Sequence, residues 1–353
     1  MPVVTLGVDA HKRTHTVVVV DVVGKKLGEK TVPSTTVGHT AALSWARSRF
    51  GDELVWGVED CRPMTARLER DLMANKQTVV RVPPHLMSRA RASSRTPGKS
   101  DPIDALAVAR AVLREPDLPR AAHDETSWAL KLLVDRRDDL VSIRRGMISR
   151  LLDRVHALDP VHTNPANWDR IKVRADMQAW LATQEGLIAE LARDELADIN
   201  RLTDQILALT ARISADVKRV APTLLAMPGV GPLSTAKIVA ETAGVERFFV
   251  KGEPGFARYV GTAPVPNWSG GQTPTGRRMP PTRRGNRQLN SALHRIAVVQ
   301  IRLRDCPGRI YVQRRVDEGD TKSQAIRSLK RRLARAVYQA LIHDRHIATA
   351  AAA

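Results

Sequence analysis

Asp101 and Asp104 open the segment Asp101-Pro102-Ile103-Asp104-Ala105-Leu106-Ala107-Val108-Ala109-Arg110, and their spacing has a chemical use. Proline suits the first helical position, where its missing N–H is not needed and its fixed φ fits. The segment therefore predicts a helix from Pro102 with Asp101 as its N-cap. Residues three apart share a helix face, so both carboxylates aim at one point beyond the helix's positive end, a geometry that suits a divalent cation. A cap beside a carboxylate that complements the helix dipole accounts for the same pair without any ligand. A second reactive group stands far downstream. Ser269, in Trp268-Ser269-Gly270-Gly271, is followed by Gly276-Arg277-Arg278 and Thr282-Arg283-Arg284-Gly285-Asn286-Arg287. A serine hydroxyl is a weak nucleophile until a base or metal takes its proton. Arginines stabilise the charge that develops on a phosphate under attack. Alone, a serine in a glycine-flanked turn is more often a turn residue.

The elements that must position the acids precede them. Residues 3–9 and 54–59 are hydrophobic, β-branched runs that each end in an acid, which places Asp9 and Glu59 at strand ends. Residues 16–22 and 27–32 read as two more strands joined by a turn at Val23-Gly24-Lys25-Lys26, and 77–82 as a fifth. Helical spacing predicts helices over 37–50 and 64–75. The resulting order, βββαβαβα, with acids closing the first and fourth strands and a pair on the last helix, resembles the ribonuclease H-like fold of RuvC-type nucleases. The resemblance makes Asp9, Glu59, Asp101 and Asp104 one carboxylate set. Four convergent carboxylates raise one another's pKa. Magnesium, or manganese in its place, relieves that repulsion and supports phosphodiester displacement. Actin-like and sugar-kinase ATPases also start with a strand carrying Gly-x-Asp, but the glycine-rich phosphate loops they need are missing from this half.

Residues 128–158 hold no proline and one glycine, with Val134, Val141, Ile148 and Val155 at seven-residue steps. This predicts a long helix with a coiled-coil seam. Asp159-Pro160 ends it, a loop or small insertion follows through Trp168, and Ile199, Ile206 and Ile213 mark a returning helix to about Lys218. The pair is expected to form an antiparallel arm. Arg136, Arg137, Arg144, Arg145, Arg150 and Arg154 on the first helix suit either a solvated face or nucleic acid. Further on, Pro228-Gly229-Val230-Gly231-Pro232 between two apolar stretches resembles a helix-hairpin-helix element. There Gly229 and Gly231 let the backbone approach a phosphate at a helix N-terminus. Helices are expected over 289–304 and 320–343, the second with a basic stripe, and a disordered tail from Ala348.

The balance of 56 Lys+Arg against 37 Asp+Glu, a formal charge of +19 over 353 residues, makes nucleic acid the first candidate partner. No uninterrupted apolar run of membrane-spanning length stands in the sequence, and the start lacks the basic region and cleavage site of a signal peptide. A cytoplasmic protein with no membrane partner is expected. Cys61 and Cys306 are too few and too far apart for a zinc site, and reduced thiols are expected.

Taken together, the Asp, Glu, Asp-x-x-Asp set, the helical middle, the Pro-Gly-Val-Gly hairpin and the run from Tyr259-Val260-Gly261 through Ser269 to Gly285-Asn286-Arg287 resemble the DEDD transposases. These are the IS-one-ten family of insertion sequences, with the invertase Piv and the bridge-RNA-guided recombinases. The resemblance implies an α/β ribonuclease H-like catalytic domain over 1–125, a helical coiled-coil arm over 126–220 and a mainly α transposase domain over 221–353. It implies that Asp9, Glu59, Asp101 and Asp104 bind magnesium and that Ser269 becomes covalently linked to DNA. It also implies a noncoding guide RNA and a homodimer or homotetramer whose acids and serine come from different protomers. Gly229, Gly231, Arg277, Arg278, Arg283, Arg284, Asn286 and Arg287 are the expected nucleic-acid contacts. Two other readings use the same residues: a RuvC-like nuclease in which water attacks, and a nucleic-acid-binding protein without catalysis.

Overall fold

Gly7 and Gly57 face each other in register on adjacent parallel strands, and a helix lies directly on both. The computed structural model of the chain describes residues 3–59, 62–83, 86, 100–115, 118, 120–121, 125–163, 165–264 and 285–352. Two compact units divide it, Met1–His123 and Asp124–Ala353.

The first unit is built on five strands, β1 (Val4–Ala10), β2 (Thr14–Val20), β3 (Lys26–Pro33), β4 (Leu54–Glu59) and β5 (Thr78–Val82), in the order β3-β2-β1-β4-β5. β1 to β3 form an antiparallel meander, and β4 and β5 run parallel to β1. Side chains alternate across a strand. Leu6, Val8, Val17, Val19, Trp56 and Val58 pack with α1 (Thr36–Phe50) and α2 (Arg62–Ala74). Val18, Val20 and Val82 pack on the other face with α3 (Asp101–Arg114). Both faces are covered, which is why these strands read as continuous valine runs. A Cβ on Gly7 would lie 2.0 Å from the Ala105 carbonyl oxygen, and one on Gly57 2.5 Å from Val112 Cγ2. The two glycines therefore set how closely α3 approaches the sheet. β2 stops at Val20, two residues before the predicted end, because Asp21 Oδ1 accepts the N–H groups of Val23 and Lys25 and starts the turn.

The second unit is helical. Its long helices α4 (Glu125–Leu158) and α6 (Leu187–Val220), with α5 (Ile171–Ala182) between them, lie side by side. The pairs Arg137–Thr210, Arg144–Thr203 and Arg154–Glu195 descend along one helix as they ascend the other, so α4 and α6 are antiparallel. Helix α5 was not predicted, and Trp168, at the end of the expected loop or insertion, is buried with Leu151, Met177, Leu181 and Leu196. At the other end Leu130, Val134, Ile213 and Val217 join the core made by the helices after residue 221. These are α7 (Pro222–Leu225), α8 (Pro232–Thr242), α9 (Gly252–Val260), α10 (Arg287–Arg302), α11 (Pro307–Asp317) and α12 (Lys322–Ala352). α12 continues through the alanine run for which the sequence predicts disorder, since alanine is the strongest helix former. Cys306 is a free, buried thiol, and Cys61 lies outside the described residues. Among the described residues no helix is long and apolar enough to cross a membrane.

Candidate active site

Asp9 shares its face of β1 with Gly7, so its side chain is on the α3 side, and 8% of the residue is exposed. The N-cap of α3 is Ser100, which makes no side-chain cap hydrogen bond, and Asp101 is the first helical residue. This moves the start one position ahead of the prediction and leaves the Asp101 carboxylate for other work. His11 stands between the two acids, its Nε2 3.1 Å from Asp9 Oδ2 and 3.3 Å from Asp101 Oδ1. Among the described residues, Asp9, His11 and Asp101 each offer a ligand atom within 4.8 Å of the others. Asp104 is buried on the first turn of α3 and acts on Asp9 through its charge. Glu59 ends β4 two residues after Gly57, on the same face of the sheet but outside that group of three.

Burial pushes the Asp9 carboxyl above its ordinary pKa; His11 pulls it back, and the Asp104 and Asp101 charges push it further. Carboxylates crowded in this way suit a divalent cation, which would neutralise them. The donor set fits: carboxylate oxygens satisfy magnesium, and an imidazole nitrogen beside them also suits manganese. Residues Asp9, Asp101 and His11 are placed to hold such an ion, with Asp104 adjacent. His11 was not singled out from the sequence. Its signal is the position two residues past Asp9, which continues the same face beyond the strand end. On the opposite face, buried His15 stacks on His39 at 5.1 Å, and His39 Nδ1 lies 2.6 Å from Asp71 Oδ2. Burial, then the neighbouring His39, lowers the His15 pKa to about 4.

In the second unit Ser269, Arg277, Arg278, Arg283 and Arg284 lie outside the described residues. Gly229 and Gly231 form a turn between α7 and α8. Gly229 has φ +75°, and a Cβ there would meet Gln300 Cγ at 3.0 Å, whereas one on Gly231 would meet nothing within 4 Å. Gln300 Nε2 ties the turn to α10 by donating to the Pro228 carbonyl at 2.7 Å. Asn286 caps α10, its Oδ1 accepting from Gln288 and Leu289 N–H, and Arg287 is exposed beside it. Of the arm arginines, Arg137, Arg144 and Arg154 are committed to Thr210, Thr203 and Glu195 on the facing helix. They serve the arm's own packing, which is neither the solvated face nor the nucleic-acid contact expected of them.

Residues 6–159 match the DEDD transposase family of IS110, and residues 221–313 match the transposase family of IS116, IS110 and IS902. Over 98% of its length the chain is 26% identical to the 44.8 kDa protein of insertion element IS116 from Streptomyces clavuligerus, of which it covers 96%. It is 27% identical to the 42 kDa protein of insertion element IS900 from Mycobacterium paratuberculosis, with 98% of each chain covered. A solved structure of Thermus thermophilus RuvC with a Holliday junction matches 33% of this chain and 99% of its own, at 16% identity and a TM-score of 0.27. The first family match takes in every acid of the site and the second runs from α7 past the Asn286 cap: the chain belongs to the IS110 family of DEDD transposases, enzymes that cleave and recombine DNA.

Proposed function

We propose that this transposase cuts and rejoins DNA by magnesium-dependent phosphoryl transfer, with Ser269 as the nucleophile. The observation that carries the reading is the meeting of Asp9, from the end of β1, with Asp101 and Asp104, from the first turn of α3. When bound there, magnesium supplies charge neutralisation on the phosphate and on the oxygens that attack and leave. Asp9 and Asp101 orient the ion, Asp104 adds charge beside them, and Glu59 extends the acidic face from the neighbouring strand. Ser269 gives up its proton and its Oγ bonds to phosphorus. The phosphodiester bond breaks, and the deoxyribose oxygen leaves as an alcohol on taking a proton. Reversal of the same step on a second strand rejoins DNA without loss of the bond's energy. Arg277, Arg278, Arg283 and Arg284 stabilise the charge on the phosphate, while Gly229, Gly231, Asn286 and Arg287 approach the DNA backbone. The formal charge of +19 suits a complex that carries both DNA and a noncoding guide RNA. We assign the active form to a homodimer or homotetramer.

Denaturing gels test the chemistry. A protein–DNA adduct that forms with magnesium and vanishes in Ser269→Ala supports the reading, and cleavage that survives this change assigns the attack to water. Mixing Asp104→Asn with Ser269→Ala protein then tests assembly: strand exchange returns if acids and serine from different protomers make one site, and stays absent if each chain uses its own.

A further inference from the structure

Helix α8 carries Lys237 and Glu241 one turn apart, and both are buried. Charged groups are costly to bury unless each is paired and hydrogen-bonded, and here the pairing is specific. Lys237 Nζ donates to Asp138 Oδ2 at 2.6 Å and to Gln288 Oε1 at 3.2 Å. Glu241 Oε1 accepts from Lys131 Nζ at 2.8 Å, and its Oε2 accepts from Asn286 Nδ2 at 2.6 Å. Lys131 and Asp138 lie two turns apart on α4, so α4 and α8 face each other with charges of opposite order. Burial works to lower the Lys131 pKa, but the hydrogen bonds and charges of Glu241 and Asp135 together outweigh it and the pKa is raised.

Apolar residues could join these helices more simply, so the network's other attachment is informative. Asn286 is held three ways: its Oδ1 caps α10, its backbone N–H donates to the Tyr259 carbonyl at 2.7 Å, and its Nδ2 donates to Glu241. The Tyr259 hydroxyl donates to the Glu241 carbonyl at 3.1 Å. Gly285, at φ +98°, packs so closely that a Cβ would lie 2.6 Å from the Gly261 nitrogen. Asn290 Nδ2 donates to the carbonyls of Val260 and Gly261, both at 3.0 Å. The chain before Pro264 and the chain after Gly285 are therefore bonded to each other and to α8. Between them in sequence stand residues 265–284, with Ser269.

We propose that Glu241 and Asn286 are positioning residues whose hydrogen bond, with Tyr259, clasps the chain that leads up to Pro264 against the chain that resumes at Gly285, the two points between which the sequence carries Ser269, and so supports the serine's reaction. The proposal rests on the reading of Ser269 as nucleophile. Neither residue touches the reacting phosphate. They act by removing freedom from the serine's attachment, and reacting groups held in register gain rate without any change in their chemistry.

A donor–acceptor reversal tests it in the full-length protein. Asn286→Asp keeps the cap acceptor but sets a second carboxylate against Glu241. Adding Glu241→Gln restores one donor and one acceptor in the opposite sense, and the glutamine oxygen still accepts from Lys131. Hydrogen exchange is read without DNA in peptides 257–263 and 285–290, and adduct formation with magnesium and duplex DNA carrying the element's joined ends. Asn286→Asp is expected to speed exchange in both peptides about tenfold, as the loss of roughly 1.4 kcal/mol of local protection requires. Its single-turnover adduct rate, read at saturating DNA so that any change in binding drops out, should fall by at least about tenfold. The double variant should recover both readouts to within about threefold. Exchange that changes in one peptide only, or an adduct rate that stays at the wild-type value while both ends loosen, overturns the proposal. So does a double variant that regains protection but not rate. If Asn286→Asp does not fold, Tyr259→Phe, which removes the hydroxyl that donates to the Glu241 carbonyl and accepts from Asn286 Nδ2, is read by the same criteria. Absence of any Ser269-dependent adduct in the wild type overturns the nucleophile reading and the positioning role together, and the exchange data then say separately whether the clasp exists.

Discussion

In the sheet unit, Asp9 and Asp101 stand at the ends of elements whose interiors are apolar, and Gly7 and Gly57 bring α3 down until its backbone touches the strands. In the helical unit, Lys237, Glu241 and Asn286 lie inside the packing and are themselves what joins α4, α8 and α10. The acids are therefore aimed by rigid backbone, whereas the attachment of the serine-bearing segment is held by side-chain hydrogen bonds. Removing a side chain has opposite consequences in the two places. At an element end it should abolish chemistry and spare the fold; inside the network it should loosen the fold locally and reduce chemistry as a result.

The largest expected effect is on chemistry. Asp9→Asn should lower magnesium-dependent cleavage by at least about a hundredfold, the scale of losing a metal-site contact. Its thermal unfolding should stay level or rise, because the substitution removes a carboxylate that burial and its acidic neighbours already disfavour. Cleavage that persists in this variant breaks the assignment of chemistry to the sheet unit. Next comes Gly7→Ala, which drives a methyl into the Ala105 carbonyl and should cost about 3 kcal/mol in urea unfolding. Gly57→Ala meets the Val112 side chain, which can turn away, so it should cost less, about 1–2 kcal/mol. Equal losses would mean that the helix, not the glycine contact, gives way.

These contrasts follow what was legible in the sequence. Strands ending in Asp9 and Glu59, and the helix opening at Asp101, could be read because valine runs, a proline and alternating faces are local signals. The N-cap was misplaced by one residue because Pro102 was given the first helical position; Asp101 takes it instead, and the fold turns the Asp101 carboxylate to His11. His11 lies one residue past the strand end, on the face that Asp9 sets, but a lone histidine there carries no mark in the sequence of its place between two acids. Arginines on α4 suggested a solvated face or nucleic acid rather than the partner helix, since charge on a helix does not reveal a threonine or glutamate facing it. Asn286 reads as part of a basic run; its cap on Gln288 and Leu289 is local, but its bond to Glu241 reaches a residue 45 positions away in sequence. Contacts of that kind leave no mark in local pattern.

A pH titration sharpens the comparison from the far side of the sheet. His15 is buried with its pKa lowered to about 4, so the folded chain resists a proton that the unfolded chain accepts near 6.5. The unfolded state binds more protons between these values, and stability therefore falls as pH drops through that window. Full stability is expected above about pH 6.5, with a loss of about 2–3 kcal/mol by pH 4 in the sheet unit. His15→Gln should flatten that dependence in equilibrium unfolding, and an unchanged slope would assign it to other groups.

The smallest effects on stability, and the finest contrast, lie in one turn of the helical unit. Gly229 and Gly231 are two residues apart, yet only Gly229 is needed by the fold: its φ is +75° and α10 packs against it, while Gly231 has φ −104° and open space where a Cβ would stand. Gly229→Ala should cost about 1–2 kcal/mol through left-handed backbone strain and contact with Gln300. Gly231→Ala should cost no more than about 0.5–1 kcal/mol, since nothing meets the added methyl and only the N-cap preference of α8 for glycine over alanine is lost. If the N–H groups at the start of α8 approach a phosphate, that same methyl stands in the way. Gly231→Ala should then weaken duplex DNA binding about fivefold at low salt while the chain stays folded, as loss of one backbone contact would. Fluorescence anisotropy against DNA, beside urea unfolding of both variants, separates the two glycines. Binding that stays at the wild-type level in Gly231→Ala would make the turn a joint between helices and remove it from the nucleic-acid surface.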